Sequence, residues 1–360
     1  MNEPILEMKN ISKNFGSVIA LKNVNLEVYP GEIRGLIGEN GSGKSTISSI
    51  AAGMQKASAG EMMFKGKKWE PSSMIDALQN GIGMVVQESG TIAGVTVAEN
   101  MFLAELVQFK NKFGLISKNK MNQKATEAMK AIGVSNVTGD MNMMTLDFQT
   151  RKLVEIAKVI MKNPEILVID ETSTALSQDG REIMYKLIRK FRDNGKAVIF
   201  ISHDLEEIME VCDTLTVLRD GTLIRTFQKE EFDADKIRTS MIGRELQGDY
   251  YRSDFTPSSQ TETALTANNL KYREELKSVD LVLKKGEIVG VGGLSSCGMH
   301  ALGKALFGGL ELEEGEVKTA DGCSITNPHI AVNHKIGYVS KDRDTESLSL
   351  TARPEVWISE

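Results

Sequence analysis

The sequence is organised around one stretch, Gly38-Glu39-Asn40-Gly41-Ser42-Gly43-Lys44-Ser45-Thr46, which fits the pattern G-x-x-x-x-G-K-[ST]. An apolar run of strand type, residues 32–37, precedes it, and residues 47–52 can continue as a helix. In this setting glycines let backbone N–H groups turn toward a polyphosphate, and the helix N-terminus adds a favourable dipole. Lys44 can then reach the β- and γ-phosphates, and the Ser45 hydroxyl can hold Mg²⁺. The stretch predicts a nucleotide site, because a flexible glycine turn would not require the flanking strand and helix.

Length and composition describe a globular chain that can hold two domains. The chain has 360 residues, of which 41% are hydrophobic, and domains of roughly 100–200 residues are usual. No apolar run approaches the roughly eighteen residues of a membrane helix, and residues 1–7 lack the regions of a signal peptide. The net charge of −6 gives no support for nucleic-acid binding, and three cysteines without metal spacing fit a reducing compartment. We therefore expect any membrane role to come through partners.

Two carboxylates end an apolar run that follows the phosphate loop in the sequence. Residues 166–169 form this run, and Asp170 and Glu171 come directly after it. At the centre of a parallel sheet, Asp170 would lie beside the phosphate loop, where it can hold Mg²⁺ through water. Glu171 would then be placed to polarise an attacking water. Paired acids at a strand end are common, but their order after a phosphate loop favours the catalytic interpretation.

Three further residues are candidates, each with a structural alternative. His203 follows the apolar run 197–202 and is a candidate sensor of the γ-phosphate, although a lone histidine is more often structural. Gln87 follows the run 82–86 and can orient water or contact Mg²⁺, or it is a solvated loop amide. Phe15 is either an ordinary turn aromatic or a stacking surface for adenine.

A repeat of domain size determines the predicted organisation of the chain. Residues 276–288 parallel residues 21–33, and a polar, proline-bearing tract lies between the two copies. We expect a first domain over residues 1–245, a linker over residues 246–264 and a second domain over residues 265–360. The second copy stops before any counterpart of Asp170-Glu171, which is the pattern expected of a truncated product.

Together these residues resemble ATP-binding-cassette (ABC) ATPases, and the tandem layout is similar to the ATPase subunits of bacterial simple-sugar importers. The resemblance implies an α/β fold of P-loop type, with a mixed core sheet, a helical subdomain and an antiparallel β subdomain, followed by a partial second cassette. By this resemblance Phe15 matches the adenine-stacking aromatic, residues 38–46 the Walker A loop, Gln87 the Q-loop, Asp170 and Glu171 the Walker B pair, and His203 the switch histidine.

The resemblance also implies cofactors, partners and location. ATP with Mg²⁺ would be hydrolysed between two cassettes, each Walker A facing the other cassette's LSGGQ signature, so a second cassette or a second copy is expected. The partners would be transmembrane permease subunits and, indirectly, an extracytoplasmic solute-binding protein, at the cytoplasmic face of the cell membrane and without nucleic acid. The alternative is a soluble tandem ABC ATPase acting on ribosomes or nucleic acid. A short linker argues against it, because such factors usually carry a long, highly charged one.

Two departures from the family pattern share one composite site. Asp147 and Gln149 stand where the first signature should have a serine and a glycine, and Asp147 would repel a γ-phosphate. Met299 and His300 replace the lysine and the hydroxyl residue of the second Walker A loop. We therefore expect one degenerate site and one potentially active site, the latter built on Lys44.

Overall fold

Helices and strands alternate along the chain, and the strands gather into three sheets. The computed structural model describes residues 3–86, 90–92, 94–243, 262–293 and 297–340. The chain divides into two units, residues 1–248 and residues 249–360. The first unit contains β1 (Leu6–Phe15), β2 (Val18–Val28), β3 (Ile33–Ile37), α1 (Lys44–Ala51), β4 (Ala59–Phe64), β5 (Lys67–Lys68), α2 (Met74–Asn80), β6 (Ile82–Val85), α3 (Val97–Phe102), α4 (Lys118–Ala131), α5 (Phe148–Ile160), β7 (Ile166–Asp170), α6 (Gln178–Asp193), β8 (Ala197–Ile201), α7 (Leu205–Val211), β9 (Thr214–Arg219), β10 (Thr222–Gln228) and α8 (Ala234–Ile242). The second contains β11 (Thr263–Tyr272), β12 (Leu276–Lys284), α9 (Met299–Leu306), β13 (Glu314–Thr319) and α10 (Pro328–Asn333).

A mixed six-stranded sheet forms the core of the first unit. Its order is β10-β9-β3-β8-β7-β6, with β10 antiparallel to β9 and the other neighbours parallel. Every residue of β3, β7 and β8 is buried, which explains why these strands are mostly apolar. The polar exceptions are paired: Arg34 with Glu32, and Asp170 with Ser45. Since parallel strands end at one edge, the residues after β3, β7 and β8 meet there.

An antiparallel sheet of order β2-β1-β4-β5 completes the β structure of this unit. Along β2, Val24, Leu26 and Val28 are buried and their neighbours are exposed, as the alternating sequence predicts. The buried residues of this sheet share one hydrophobic cluster with α1 and with one face of the mixed sheet. The α/β class, the mixed core sheet and the antiparallel β subdomain are therefore confirmed.

Helices α3, α4 and α5 form the helical subdomain, whose buried side chains pack in one cluster with those of the other face of the mixed sheet. Helix α3 ends at Phe102, and a 3₁₀ helix, Leu103–Phe109, follows it. Phe102 has φ −119°, outside the helical region, at the point where α3 ends, and Glu105, with φ −136°, kinks the 3₁₀ segment that follows. The tighter turn buries Phe102 and Phe109 against each other, with 4.8 Å between ring centroids.

The second unit repeats elements of the first in the same order. Its antiparallel sheet has the order β12-β11-β13, matching β2-β1-β4. Helix α9 begins 255 residues after α1 (44 to 299), and β13 begins 255 residues after β4 (59 to 314). The repeat read from the sequence is therefore a structural repeat.

Candidate functional site

The phosphate loop joins β3 to α1, and two of its glycines are required by close packing. Gly43 caps α1 with φ +102°, and a Cβ there would lie 2.5 Å from Leu21 Cδ2. A Cβ on Gly38 would lie 2.1 Å from the carbonyl oxygen of Leu218. Any side chain at these positions would push the loop away from β2 and β9. The spacing of the glycines thus fixes the loop against its own sheet.

Lys44 is buried at the start of α1, and the loop itself holds its ammonium group. Lys44 Nζ donates to the carbonyl oxygens of Gly38, at 2.9 Å, and Glu39, at 3.1 Å. Burial lowers the pKa of Lys44, while Glu171 and Asp170 oppose that shift. A polyphosphate is a charged acceptor and would bind this group more strongly than neutral carbonyls do.

Ser45 and Asp170 meet at the edge of the mixed sheet. Ser45 Oγ donates to Asp170 Oδ1 at 3.2 Å, although the two residues lie 125 positions apart. Burial raises the pKa of Asp170 to about 6, and the hydrogen bond from Ser45 and the charge of Lys44 act against it. Hydroxyl and carboxylate oxygens are the donors that Mg²⁺ prefers, so this pair fits such an ion.

A cleft of about 460 Å³ opens over the phosphate loop. It is lined by Val18, Ile19, Ala20, Asn40, Gly41, Gly43, Lys44, Ser45, Thr46 and Glu171. The sequence reasoning missed Val18 and Ile19, which are 63% and 52% exposed at the start of β2. Phe15 pairs with Val18 across the β1–β2 hairpin and is 46% exposed. The cleft therefore offers the Lys44 ammonium and the loop N–H groups to a polyphosphate, and the exposed side chains of Val18 and Ile19 as apolar surface.

Glu171 and His203 follow neighbouring strands, β7 and β8. The backbone N–H of Glu171 donates to Ile201 O at 3.0 Å, which links the two strand ends directly. Glu171 has φ +42°, a left-handed conformation that is strained for this residue type and recurs at functional sites. His203 is exposed and does not line the cleft. Gln87 lies outside the described residues; β6, which precedes it, pairs with β7.

Glu207 is a buried carboxylate near the carboxyl ends of β7 and β8, and it was not predicted from the sequence. Ser202 Oγ and Ser173 Oγ donate to its Oε2 at 2.5 and 2.8 Å, and Tyr185 Oη donates to Oε1 at 2.5 Å. Burial and the neighbouring Glu207 raise the pKa of Tyr185, so its hydroxyl remains a donor. Ser202 precedes His203, and Ser173 follows Glu171 by two positions. Glu207 therefore connects the two segments that carry these candidates.

A second buried network, also missed, joins α5 to the residues on either side of positions 87–89. Lys152 Nζ donates to Val86 O at 3.0 Å and pairs with Glu155 Oε2 at 2.8 Å. Glu155 Oε1 accepts from the N–H of Gly90 at 2.6 Å. The sequence pattern does not predict this contact, because a lysine in a helix is normally expected to lie in solvent. The pair holds both flanks of that segment against α5.

The degenerate signature begins α5 with a capping carboxylate. Asp147 Oδ1 accepts from the N–H of Thr150, and Gln149 Oε1 accepts from the N–H of Ser177. Both substituted side chains are thus engaged with backbone donors. Asp147 is the N-cap of α5, so its carboxylate lies at the start of this helix.

Comparisons with known proteins agree with this geometry. A family model described as "ABC transporter" matches residues 21–174. The chain is 36% identical to the ribose import ATP-binding protein RbsA of Caldanaerobacter subterraneus subsp. tengcongensis, over 96% of this chain and 69% of that protein. It is 33% identical to the RbsA protein of Clostridium tetani, over 97% of this chain and 68% of that protein. A dimeric ATP-binding cassette solved in a post-hydrolysis state with ADP and Pi superimposes with a TM-score of 0.55 and 27% identity, covering 63% of this chain and all of that one.

The fold and the cleft define an ATPase of the ABC transporter class. Within that class the chain belongs to the family of sugar-import ATP-binding proteins that includes these RbsA relatives. The sequence resemblance, the fold class and the ATP-binding activity are thereby confirmed. Among the described residues, no helix is both long enough and apolar enough to cross a bilayer.

Proposed function

We propose that this chain binds MgATP over the phosphate loop and hydrolyses it to drive import of ribose or a related simple sugar through a membrane permease. One observation carries the proposal: Lys44, Ser45 and Glu171 line one cleft, and Ser45 donates a hydrogen bond to Asp170. The similarity to ribose import proteins over most of the chain supports the sugar as the imported solute.

The position of each site residue indicates its role in binding or hydrolysis. Lys44 and the loop N–H groups bind the polyphosphate, while Val18, Ile19 and Phe15 offer apolar surface for the base. Ser45, Asp170 and Gln87 would hold Mg²⁺, which when bound neutralises charge on the phosphates. The Glu171 carboxylate accepts a proton from the attacking water, and His203 contacts the γ-phosphate.

The domain organisation supports a composite active site. We infer two cassettes, residues 1–245 and 265–360, joined by residues 246–264. Met299 and His300 occupy the start of α9, where α1 carries Lys44 and Ser45, so the second loop offers neither the cation nor the hydroxyl. Hydrolysis therefore takes place at the Lys44 site, against a signature from another cassette.

The partners follow from the role of an import ATPase. The chain would act at the cytoplasmic face of the membrane, bound to permease subunits and, through them, to an extracytoplasmic solute-binding protein. Closure of two cassettes on ATP would move the permease. The solute-binding protein and the permease, rather than this chain, would select the sugar.

The test is a reconstituted importer. The chain is co-expressed with a bacterial ribose permease and with a ribose import ATP-binding subunit whose own phosphate-loop lysine is replaced by alanine, so that this subunit supplies only the facing signature. The complex is inserted into liposomes and assayed for ATP hydrolysis with ribose-loaded binding protein. Stimulated hydrolysis should fall by 10²–10⁴-fold in Glu171→Gln while ATP binding persists, because only the proton acceptor is lost. Glu206→Gln, an exposed glutamate on α7, is the matched control and should leave the rate unchanged.

Two results would overturn this proposal. Wild-type turnover in Glu171→Gln would remove the assigned base. Failure to associate with any permease, together with co-purification of RNA, would favour the ribosomal or nucleic-acid alternative.

A further inference from the structure

A short stretch around the start of α4 carries a concentration of positive charge. Residues 106–126 contain five lysines and no acidic residue, although acidic residues outnumber basic ones in the whole chain. All five lysines are exposed: Lys110, Lys112, Lys118, Lys120 and Lys124. Within the described part of the chain, only Lys118 of these five pairs with a carboxylate, that of Glu99 at 3.8 Å. Most of the positive charge of this stretch is therefore uncompensated.

Residues 110–117 form a hairpin whose backbone is held by its own hydrogen bonds. Lys110 and Ile116 form an antiparallel bridge, and the N–H of Asn111 donates to Leu115 O at 2.8 Å. Asn111 Oδ1 also accepts from the N–H groups of Phe113 and Leu115, at 2.9 and 3.0 Å. These bonds close the turn, so an ordered backbone displays the side chains at its tip.

The tip of the hairpin exposes apolar side chains. Phe113 is 87% exposed, more than any other phenylalanine in the described residues, and Leu115 is 67% exposed. Ile116 beside them is 40% exposed. Isolated exposed apolar residues are ordinary, but here three lie within four positions, with lysines on both sides. Apolar side chains flanked by cations are what segments that lie in a membrane interface present to lipid.

We propose that the hairpin and the first turn of α4, residues 110–120, form a lipid-contact patch for an anionic membrane surface. Phe113 and Leu115 would enter the boundary between headgroups and acyl chains, while the flanking lysines would pair with lipid phosphates. The biological setting of the patch, the cytoplasmic face of a membrane, rests on the proposed function.

The electrostatics of the patch agree with a lipid surface. The cytoplasmic leaflet has a negative surface potential, and each lysine held near it strengthens binding about fivefold. The net charge of −6 does not cancel this attraction, because charges more than roughly 8 Å apart are largely screened at physiological salt. The local charge of the patch therefore decides whether it binds.

The same charge argues against three other occupants. Cytoplasmic loops of membrane proteins carry an excess of lysine and arginine, so a permease surface would repel the patch. Two copies of this chain that met through a two-fold axis would bring their own lysines together. Nucleic-acid recognition favours arginine, and residues 106–126 contain none.

Flotation with liposomes tests the proposal on the full chain, without permease or nucleotide. The chain is mixed with vesicles of phosphatidylcholine alone, or of phosphatidylcholine and phosphatidylglycerol in equal parts. We expect at least tenfold stronger binding to the anionic vesicles, and a steep loss of that binding as the salt concentration rises. In Phe113→Trp, anionic vesicles should shift the tryptophan emission to the blue, because the tip enters an apolar medium.

Two variants of the patch separate its charge from its apolar tip. Lys110→Gln with Lys112→Gln should weaken binding to anionic vesicles at least tenfold, since two lysines contribute about fivefold each. Phe113→Ser with Leu115→Ser should weaken it several-fold while the charge stays constant.

Matched controls change the same kinds of side chain elsewhere. Lys67→Gln with Lys68→Gln removes two exposed lysines from β5 and should leave vesicle binding unchanged. Ile75→Ser with Val332→Ser removes two apolar side chains that are 56% and 57% exposed, and it should also have no effect. Thermal melting identifies any variant that fails to fold, and the charge variant and the tip variant then test each other.

Several outcomes would overturn the proposal. These are equal binding to neutral and anionic vesicles, and equal binding by the patch variants and their controls. Loss of permease association in Phe113→Ser with Leu115→Ser, without any loss of vesicle binding, would assign the patch to the permease. RNA that co-purifies with the wild-type chain but not with Lys110→Gln with Lys112→Gln would assign it to nucleic acid. Since vesicle binding needs neither ATP hydrolysis nor import, its failure is distinguishable from failure of the proposed function.

Discussion

Asp147 Oδ1 accepts a hydrogen bond from the backbone N–H of Thr150 at 2.7 Å, across the first turn of α5. The first N–H groups of a helix have no intrahelical partner, and together with the helix dipole they make an anion site. Here a carboxylate of the chain itself satisfies one of them and offsets the dipole. The first turn of α5 is therefore poorly suited to bind a phosphate from a facing cassette, which gives the degenerate signature a structural basis.

The capping bond leads to a prediction about stability and self-association. Asp147→Ala should lower the free energy of unfolding by about 1 kcal/mol, whereas Asp147→Ser, which also caps, should change it by only a few tenths. Asp147→Ser with Gln149→Gly should increase MgATP-dependent self-association several-fold, since it removes the charge and restores the serine and glycine of the signature pattern. Denaturant titration and analytical ultracentrifugation measure the two effects. Asp147→Asn, which keeps the cap without the charge, is the control; an unchanged dimer fraction in the double variant would contradict the idea.

Asp170 should make the nucleotide-free protein less stable as pH rises. Its pKa is about 6 in the folded state and 3.8 ordinarily, so between these values the folded state binds more protons than the unfolded state. Stability is therefore lost as pH rises from about 4 to 6, and the full loss, about 3 kcal/mol, persists above pH 6. Asp170→Asn removes the charge and should raise the free energy of unfolding by up to that amount at pH 8.

Thermal or denaturant unfolding in EDTA, at pH 8 and at pH 4.5, tests this expectation. The increase in the free energy of unfolding caused by Asp170→Asn should be much smaller at pH 4.5, where the wild-type carboxyl is mostly protonated. Asp220→Asn is a suitable control, because the Asp220 side chain is 91% exposed. A gain of the same size at both pH values, or a loss at pH 8, would show that burial of the Asp170 charge is not the cause.

The elements of the first unit could be predicted largely because their signals are local. The phosphate loop carries its glycines, lysine and serine within nine residues, and β3, β7 and β8 are mostly apolar. The order of such runs and helices then implies parallel strands whose carboxyl ends share an edge. That rule alone predicts that Asp170 lies near Ser45, although the two residues are 125 positions apart in the sequence.

Side-chain contacts between distant elements could not be predicted in this way. Glu207 looks like a solvated helix residue in the sequence, yet it accepts hydrogen bonds from three different elements. Val18 and Ile19 read as ordinary strand residues, and only the hairpin turn brings them to the cleft.

Removal of the Lys44 ammonium should weaken nucleotide binding with little effect on the fold. Lys44→Ala deletes a point charge that would contact the polyphosphate, so MgATP affinity should fall at least tenfold. The freed carbonyls of Gly38 and Glu39 can turn to water, and we expect a change in melting temperature of only a few degrees. Isothermal titration calorimetry with MgATP measures the affinity. Lys67→Ala, on the exposed strand β5, should bind normally; unchanged affinity in Lys44→Ala would refute the assignment.

Substitutions at the buried pair Lys152–Glu155 can distinguish whether the pair only stabilises the fold or also positions residues 87–89. Lys152→Met alone leaves the Glu155 carboxylate buried without its cation and should lower the free energy of unfolding by about 3–5 kcal/mol. Lys152→Met with Glu155→Leu replaces both charges by apolar side chains and should recover most of that loss. The double variant still lacks the bonds to Val86 O and to the N–H of Gly90. We therefore expect normal MgATP affinity but at least tenfold slower permease-stimulated hydrolysis.

Denaturant unfolding, calorimetry and the liposome assay measure these three quantities on the same variants. The matched control is the more exposed pair Lys162–Glu105, whose double replacement should leave hydrolysis unchanged. The decisive comparison is the turnover of the double variant at saturating MgATP. Wild-type turnover would mean that the pair only stabilises the fold, because its contacts with the flanks of residues 87–89 would then be dispensable for hydrolysis. Slow turnover with normal affinity would mean that α5 positions that segment for the chemical step, since stability and binding would both be intact.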